Sequence, residues 1–136
     1  GAIHDGAAWV PGAMTMAPSG AGMLAGMAEA EGTLGSGTSV TTSIFIPAGA
    51  MVIGAVARVT TAITGSAPTW RMGTAGATNR FGSGVGMARD SWARGILGAP
   101  TTYYNPEPVI VTGEGGGFTG GAIRISVHWW ELRLPR

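Results

Sequence analysis

Apolar and polar side chains alternate strictly near the C-terminal end of the chain. Ile123, Ile125, Val127 and Trp129 occupy every second position. A β-strand places alternate side chains on opposite faces, so this spacing predicts a strand with one face in the core. The other face carries Arg124, Ser126, His128 and Trp130. Because Trp129 and Trp130 are adjacent, one of the two rings is expected to meet solvent or a neighbouring subunit.

The same two-residue period occurs earlier in the chain. Residues 38–46 place Val40, Thr42, Ile44 and Ile46 on one face, and a turn is expected at Pro47–Gly49. Residues 50–64 are rich in Val, Ile and Thr, which favours a long strand, and Gly54 within it indicates a bulge or bend.

The remaining strands are expected to be short. We predict them at 69–72, 101–104 and 107–112, whereas the glycine-rich residues 73–98 show little periodicity and 113–117 form a loop. About six short strands separated by Gly and Pro turns are typical of an all-β domain. The prediction is an antiparallel β-sandwich, jelly-roll-like in arrangement.

The first 30 residues differ in composition from the rest. They are rich in Gly, Ala and Met, which argues against a stable helix, although 23–31 could form a short one. We therefore predict an extended arm or a connection to an upstream shaft over residues 1–30, and the β-sandwich over 31–136. A chain that starts at Gly1 is expected to be either a processed product or the end of a longer protein.

Few charged side chains are available to cover the surface. Charged residues make up 11% of the chain, against about 25% in ordinary soluble domains. A monomer of 136 residues normally keeps a charged surface to remain soluble. The deficit therefore predicts that partner subunits cover much of the surface, without fixing how many copies assemble.

Composition also disfavours several classes of function. No run of about 18 apolar residues occurs, so membrane insertion is not expected. The formal net charge is +1 and the eight basic residues, all Arg, form no stripe, which disfavours nucleic acid. The chain has no Cys, which excludes disulfides and thiolate metal sites.

A longer ordered pattern covers roughly residues 28–134. It runs AEAEGTL, TTSIFIPAGAMVIGAVARVTTAITG, NRFGSGVGMA, GAPTTYY and EPVIVTGEGGGFTGGAIRISVHWWEL, of which FTGGAIRISVH is the most specific part. This pattern resembles the C-terminal domain of fibre and spike proteins from phages and gene transfer agents of alphaproteobacteria. The Met-rich run of the N-terminal arm is not part of the resemblance.

The resemblance implies a place and an assembly. It implies a distal virion module facing the bacterial surface, extracellular in the assembled particle, and joined to upstream fibre, spike or baseplate proteins. It also implies a homotrimer, and by position in the virion it is similar to receptor-binding domains.

Side chains suited to sugar recognition lie in loop-rich stretches. A flat aromatic ring packs on the apolar face of a sugar, while Arg, Asp or Asn bind its hydroxyls. For each Trp taken alone, a place in the core or at a subunit contact is the stronger interpretation. The candidate ligand-binding residues are Trp70, Arg71, Arg89, Asp90, Trp92, Tyr103, Tyr104 and Asn105.

Phosphate binding, metal binding and catalysis are less well supported by the sequence. The Gly82–Gly86 and Gly113–Gly117 runs lack the following helix that a phosphate cradle requires, so we expect turns. No metal or cofactor is expected, with an axial ion at His128 of a trimer kept as an alternative. The acidic residues are scattered and no GxSxG occurs, so an enzyme is not expected.

Two arginines occur within otherwise apolar strands. Arg58 and Arg124 would each need a carboxylate or carbonyl partner if buried. We expect both to pair at subunit contacts with a structural role, with Glu29 or Glu31 as partners.

Three functions follow as competing hypotheses. The first is a receptor-binding domain that adheres to host cell-surface polysaccharide as a homotrimer. The second is a purely structural, trimerising virion module without a ligand. The third is a hydrolase of envelope polysaccharides.

Overall fold

The chain folds almost entirely into strands. The computed structural model describes residues 3–4, 9–10 and 12–136, and within these residues it contains strands and no helix. The all-β prediction is confirmed. In chain order the strands are β1 (Ile3–His4), β2 (Trp9–Val10), β3 (Gly12–Met16), β4 (Gly22–Thr33), β5 (Ser39–Ile46), β6 (Ala50–Gly65), β7 (Thr69–Thr74), β8 (Ala77–Val85), β9 (Trp92–Tyr103), β10 (Glu107–Glu114) and β11 (Phe118–Arg133).

Two antiparallel sheets form the sandwich. The five-stranded sheet has the order β3-β4-β11-β6-β9, and the four-stranded sheet has the order β5-β10-β7-β8. Strands β1 and β2 pair separately. Every strand pair in the described part of the chain is antiparallel, which confirms the predicted antiparallel β-sandwich.

The core lies between the inner faces of the two sheets. The predicted alternation is confirmed in β11, where Ile123, Ile125, Val127 and Trp129 are buried, and in β5, where Ile44 and Ile46 are buried. The four-stranded sheet contributes large side chains from its central strands and from β8. These are Trp70, Met72, Phe81, Val109 and Val111, all fully buried.

Bends occur where the sequence indicated them. The register of β6 against β9 shifts between Val52 and Gly54, so the predicted irregularity at Gly54 is confirmed. The Pro47–Gly49 turn is also present, with a φ of 85° at Gly49, a conformation that glycine adopts at little cost.

Residues 73–98 show little periodicity in the sequence, but β8 and the first half of β9 lie in this range. Glycine here marks close approach of two backbones and not a loop. A Cβ on Gly95 would collide with the carbonyl oxygen of Phe81, where β8 of one sheet meets β9 of the other. The predicted strand 101–104 is the end of β9, and Pro100 is tolerated because it lies in an irregular stretch of this edge strand.

Residues 22–30 belong to the five-stranded sheet. Strand β4 pairs with β11 from Gly22 to Thr33, so the predicted boundary after residue 30 falls inside a strand, and 23–31 is not a helix. Gly26 weakened the sequence-based strand signal, yet a Cβ there would collide with the Trp129 ring. Strand β3 extends the same sheet; residues 1–2, 5–8 and 11 of the predicted arm lie outside the described residues.

The two tryptophans Trp70 and Trp92 should respond oppositely to truncation. Trp70 is fully buried and its Nε1 donates to the Gly86 carbonyl oxygen at 2.8 Å, whereas Trp92 is 59% exposed. We expect Trp70→Ala to lower the free energy of unfolding by about 3–5 kcal/mol, because it leaves a large cavity. Trp92→Ala should cost less than about 1 kcal/mol. Urea denaturation followed by circular dichroism measures both, and equal costs would contradict this core.

Candidate functional site

A row of four exposed side chains crosses the outer face of the five-stranded sheet. Antiparallel register places Arg124 of β11 directly opposite Glu31 of β4 on one side and Arg58 of β6 on the other. Arg58 in turn lies opposite Trp92 of edge strand β9. We call Glu31, Arg124, Arg58 and Trp92 the arginine row.

A second row runs beside it, one pleat further along the strands. Register aligns Glu29, Ser126, Val56 and Arg94 across the same four strands. Between the rows the surface forms a shallow depression of about 470 Å³, which we call the Trp92 depression. The Trp92 ring lies at the β9 side, and the polar lining consists of Glu29, Arg58, Thr60, Arg94, Arg124 and Ser126.

The two arginines of the row face each other. Residues directly opposite in an antiparallel pair have Cβ atoms about 5 Å apart, and like charges there repel. Arg124 Nη2 contacts Glu31 Oε2 at 3.3 Å, while Arg58 Nη1 donates to the Asp90 carbonyl oxygen at 3.3 Å. In the arginine row, one carboxylate thus stands beside two adjacent guanidinium groups and contacts only that of Arg124.

The expectation for these arginines was half right. Glu31 is the partner of Arg124, as expected, and the pair forms within one chain. Arg58 and Arg124 are both exposed, so burial does not impose a partner on either, and pairing at subunit contacts stays a prediction. Each occupies the outward phase of a strand whose inward neighbours, such as Ile123 and Ile125, fill the core.

Glu31 is held in its ionised form. The Thr60 hydroxyl donates to Glu31 Oε1, and this bond, followed by the Arg124 guanidinium, lowers the pKa of Glu31 below its ordinary 4.5. Because the folded pKa lies below the unfolded one, ionised Glu31 stabilises the fold above the ordinary pKa. That contribution is lost as pH falls through the folded pKa.

The loop between β8 and β9 fixes one end of the depression. The Asp90 N–H donates to the Val59 carbonyl at 2.9 Å, and the Val59 N–H donates to the Ser91 carbonyl at 2.8 Å. Asp90 has a φ of 70°, which is uncommon for a residue other than glycine. This loop carries the predicted Arg89 and Asp90, both exposed, directly before Trp92.

The Trp92 ring is the aromatic surface of the site. It is 59% exposed, and the Arg94 guanidinium lies 5.9 Å from its ring centroid, within cation–π range. Of the predicted ligand residues, the structure therefore brings Arg89, Asp90 and Trp92 to the same region.

The other predicted site residues lie elsewhere. Trp70 is a core residue, because its β7 position faces the inside of the sandwich and its ring has no exposed surface. Arg71 lies on the outer face of the four-stranded sheet, where its Nε donates to Thr78 Oγ1 at 3.0 Å and its Nη1 lies 3.9 Å from Glu114 Oε2. Neither residue shares a surface with Trp92.

The predicted Tyr103, Tyr104 and Asn105 occupy the far end of β9. Trp92 pairs with Arg58 and Tyr103 with Ala50, eight residues or roughly 26 Å away along β6 at the usual rise. Tyr103 is buried, and its hydroxyl has no hydrogen-bond partner within the described residues. Tyr104 is 83% exposed, and Asn105 is exposed beside it.

No metal centre is found in the described part of the chain. No group of three or more His, Asp or Glu side chains there is arranged to hold an ion. His128 is half-buried on the outer face, between Met27 and Gly54 in the register. Within the described residues no helix long and apolar enough to cross a membrane occurs either.

Sequence reasoning missed the residues that complete the depression. Arg94 and Glu29 were not considered as ligand residues, and Arg58 and Arg124 were assigned a structural role. The alternation of each strand gave the face of each side chain. The register that aligns Arg124, Arg58 and Trp92 depends on pairing between strands more than 30 residues apart, which no local pattern contains.

The pKa of Glu31 provides a test of the arginine row. Replacing Thr60 by Val removes the hydroxyl donor while keeping the shape of the side chain, so we expect the pKa of Glu31 to rise toward 4.5. Carboxyl ¹³C NMR titration measures it, and Thr61→Val is the matched control, expected to leave it unchanged. An unchanged Glu31 pKa in Thr60→Val would contradict this contact.

Comparison with known proteins supports the fold. No family model and no curated protein matches the chain. Among solved structures, it is similar to a chain of the cyanophage Pam1 capsid asymmetric unit, with a TM-score of 0.50 and 21% identity. The match covers 95% of this chain and 97% of that chain. At this identity the likeness shows a shared β-sandwich fold across nearly the whole of both chains.

Proposed function

We propose that the protein is a structural component of a phage-type particle. The observation that carries this proposal is the fold match over 95% of the chain to a component of the cyanophage Pam1 capsid. The match also covers 97% of that chain, so the likeness extends over nearly the whole of the compared fold. The sparse charge of the sequence supports the same function, since virion subunits cover one another.

An apolar outer surface offers a place for such contacts. Beyond the Trp92 depression, Ile96 of β9 aligns with His128 and Met27, and Trp130 of β11 aligns with Met51. We call Met27, Met51, Ile96, Trp130 and Leu132 the apolar band. Ile96 is 78% exposed and Leu132 is 66% exposed, an arrangement typical of a surface that a partner covers.

Charge is concentrated away from this band. Five of the charged residues, Glu29, Glu31, Arg58, Arg94 and Arg124, lie in the two rows beside the depression. None belongs to the apolar band. The outer face of the five-stranded sheet thus has a polar end and an apolar end, and we propose that the apolar end contacts other virion subunits, including copies of this chain in a homotrimer.

Ile96→Glu tests the assembly. Burying a carboxylate in an apolar contact is costly, and the Ile side chain alone contributes about 1.5–3 kcal/mol when covered. We therefore expect at least a tenfold loss of self-association in sedimentation velocity, from about three times the 13.6 kDa chain mass toward the monomer. Incorporation into purified particles, measured by immunoblot, should fall in parallel.

Thr41→Glu is the matched control for this experiment. Thr41 is exposed on the outer face of the four-stranded sheet, so the same charge there should leave assembly unchanged. A wild-type chain that stays monomeric at high concentration and is absent from particles would overturn the proposed function. Equal loss with both variants would overturn the assignment to the apolar band.

A second function is supported by the Trp92 depression. We propose that the module also adheres to bacterial cell-surface polysaccharide, as expected for a distal fibre or spike domain. An exposed Trp ring flanked by guanidinium groups and the Glu29 carboxylate is the combination that binds sugars. The binding experiment of the next subsection also tests this function.

We propose no catalytic role. Glu29 and Glu31 point outward two residues apart on β4, so their Cα atoms are roughly 7 Å apart, and they are the carboxylate pair best placed for glycoside hydrolysis. A glycosidase acid, however, needs a raised pKa, and the pKa of Glu31 is lowered by Thr60 and Arg124. Glu31 is therefore unsuited to be the acid of such a pair.

A further inference from the structure

We propose that the Trp92 depression binds a carboxylate-bearing sugar unit of an acidic polysaccharide, with the sugar carboxylate between Arg58 and Arg124 and the ring face on Trp92. This inference rests on the second function proposed above, adhesion to polysaccharide, and specifies its ligand class.

The opposed arginines are the first argument. Arg58 and Arg124 lie directly opposite each other on the exposed face of adjacent strands, where two positive charges repel. Glu31 compensates Arg124 alone, at 3.3 Å. An anionic group placed between the two guanidinium groups removes this repulsion, so the bare protein is arranged to favour a bound anion.

The hydrogen-bonding capacity of Arg58 is the second argument. A guanidinium group has five N–H donors in a planar fork that matches a carboxylate. Within the described residues, the Arg58 side chain makes one hydrogen bond, from Nη1 to the Asp90 carbonyl at 3.3 Å. This bond holds the side chain beside the β8–β9 loop and leaves most of its donors for a ligand.

The other residues that line the depression favour an anionic sugar over other anionic ligands. Trp92 offers an apolar ring in register with Arg58, and Glu29 offers an acceptor for hydroxyl groups in the neighbouring row. A polyphosphate chain would be repelled by Glu29 and Glu31. A sugar with one carboxylate and several hydroxyls can instead bind the arginines through its carboxylate and donate its hydroxyls to the glutamates. The volume of about 470 Å³ lies in the usual range of ligand sites, about 300–1,000 Å³.

The experiment measures binding of the full chain to two sets of polysaccharides. One set contains galacturonate, glucuronate or mannuronate polymers, and the other contains the carboxyl-reduced, neutral forms of the same polymers. Biolayer interferometry at low and at 0.5 M salt gives the affinities. We expect the wild type to bind at least one uronate polymer at least tenfold more tightly than its reduced form, with weaker binding at high salt.

Variants assign that binding to the depression. We expect Arg58→Gln and Trp92→Ala each to weaken uronate binding at least tenfold, while Arg133→Gln, an exposed arginine distant in register on β11, changes it less than twofold. Arg58→Gln should not lower the Tm, because it removes a repulsive partner of Arg124. A lowered Tm together with weakened binding would show a structural role for Arg58 and overturn the proposal.

Other outcomes separate this inference from the functions on which it rests. Equal binding of uronate and reduced polymers, unaffected by Arg58→Gln, would overturn the acidic-sugar assignment and leave adhesion standing. No binding to either set would overturn both. If Arg58→Gln instead abolishes incorporation into particles and no sugar binds, the depression contacts an acidic side chain of another virion protein, and the proposal is wrong.

Discussion

The pairing of β11 with β4 and β6 determines the rest of the structure. Strand β11 spans 16 residues and lies at the centre of the five-stranded sheet, with antiparallel neighbours on both sides. Its side-chain period of two assigns Ile123, Ile125 and Val127 to the core and Arg124 and Ser126 to the outer face. A slip of one residue would exchange these sets, so burial of the inner set also holds the outer rows in register.

The same strand register places a charged surface and an apolar surface at different ends of the outer face of the five-stranded sheet. Toward the β8–β9 loop, register aligns Glu31, Arg124, Arg58 and Trp92 into a charged, concave surface. Toward the opposite end it aligns apolar side chains such as Ile96 and Trp130, which water solvates poorly. We interpret the first as a surface for a polar ligand and the second as a surface for other subunits, so assembly and adhesion would use adjacent parts of one sheet.

The sequence predicted features that depend on the pattern within one strand. It did not predict features that depend on how two strands pair or pack. The alternation in β11 and β5 and the bend at Gly54 are local patterns, and all were predicted. Two glycines that disfavour a strand in the sequence lie within strands for packing reasons. Gly26 makes room for the Trp129 ring, and Gly95 lets β9 approach Phe81. Trp70 could not be distinguished from Trp92 by composition, since only tertiary pairing shows that one faces inward and the other lies at a sheet edge.

Hydroxyl-radical footprinting of particles and of the dissociated chain tests most directly whether the apolar band is covered by subunits. We expect oxidation of Met27, Met51 and Trp130 to fall severalfold on assembly. Phe45, exposed on the outer face of the four-stranded sheet, should keep its reactivity. Protection of Phe45 with unchanged oxidation of Met27 and Trp130 would show that subunits cover the other sheet and not the apolar band.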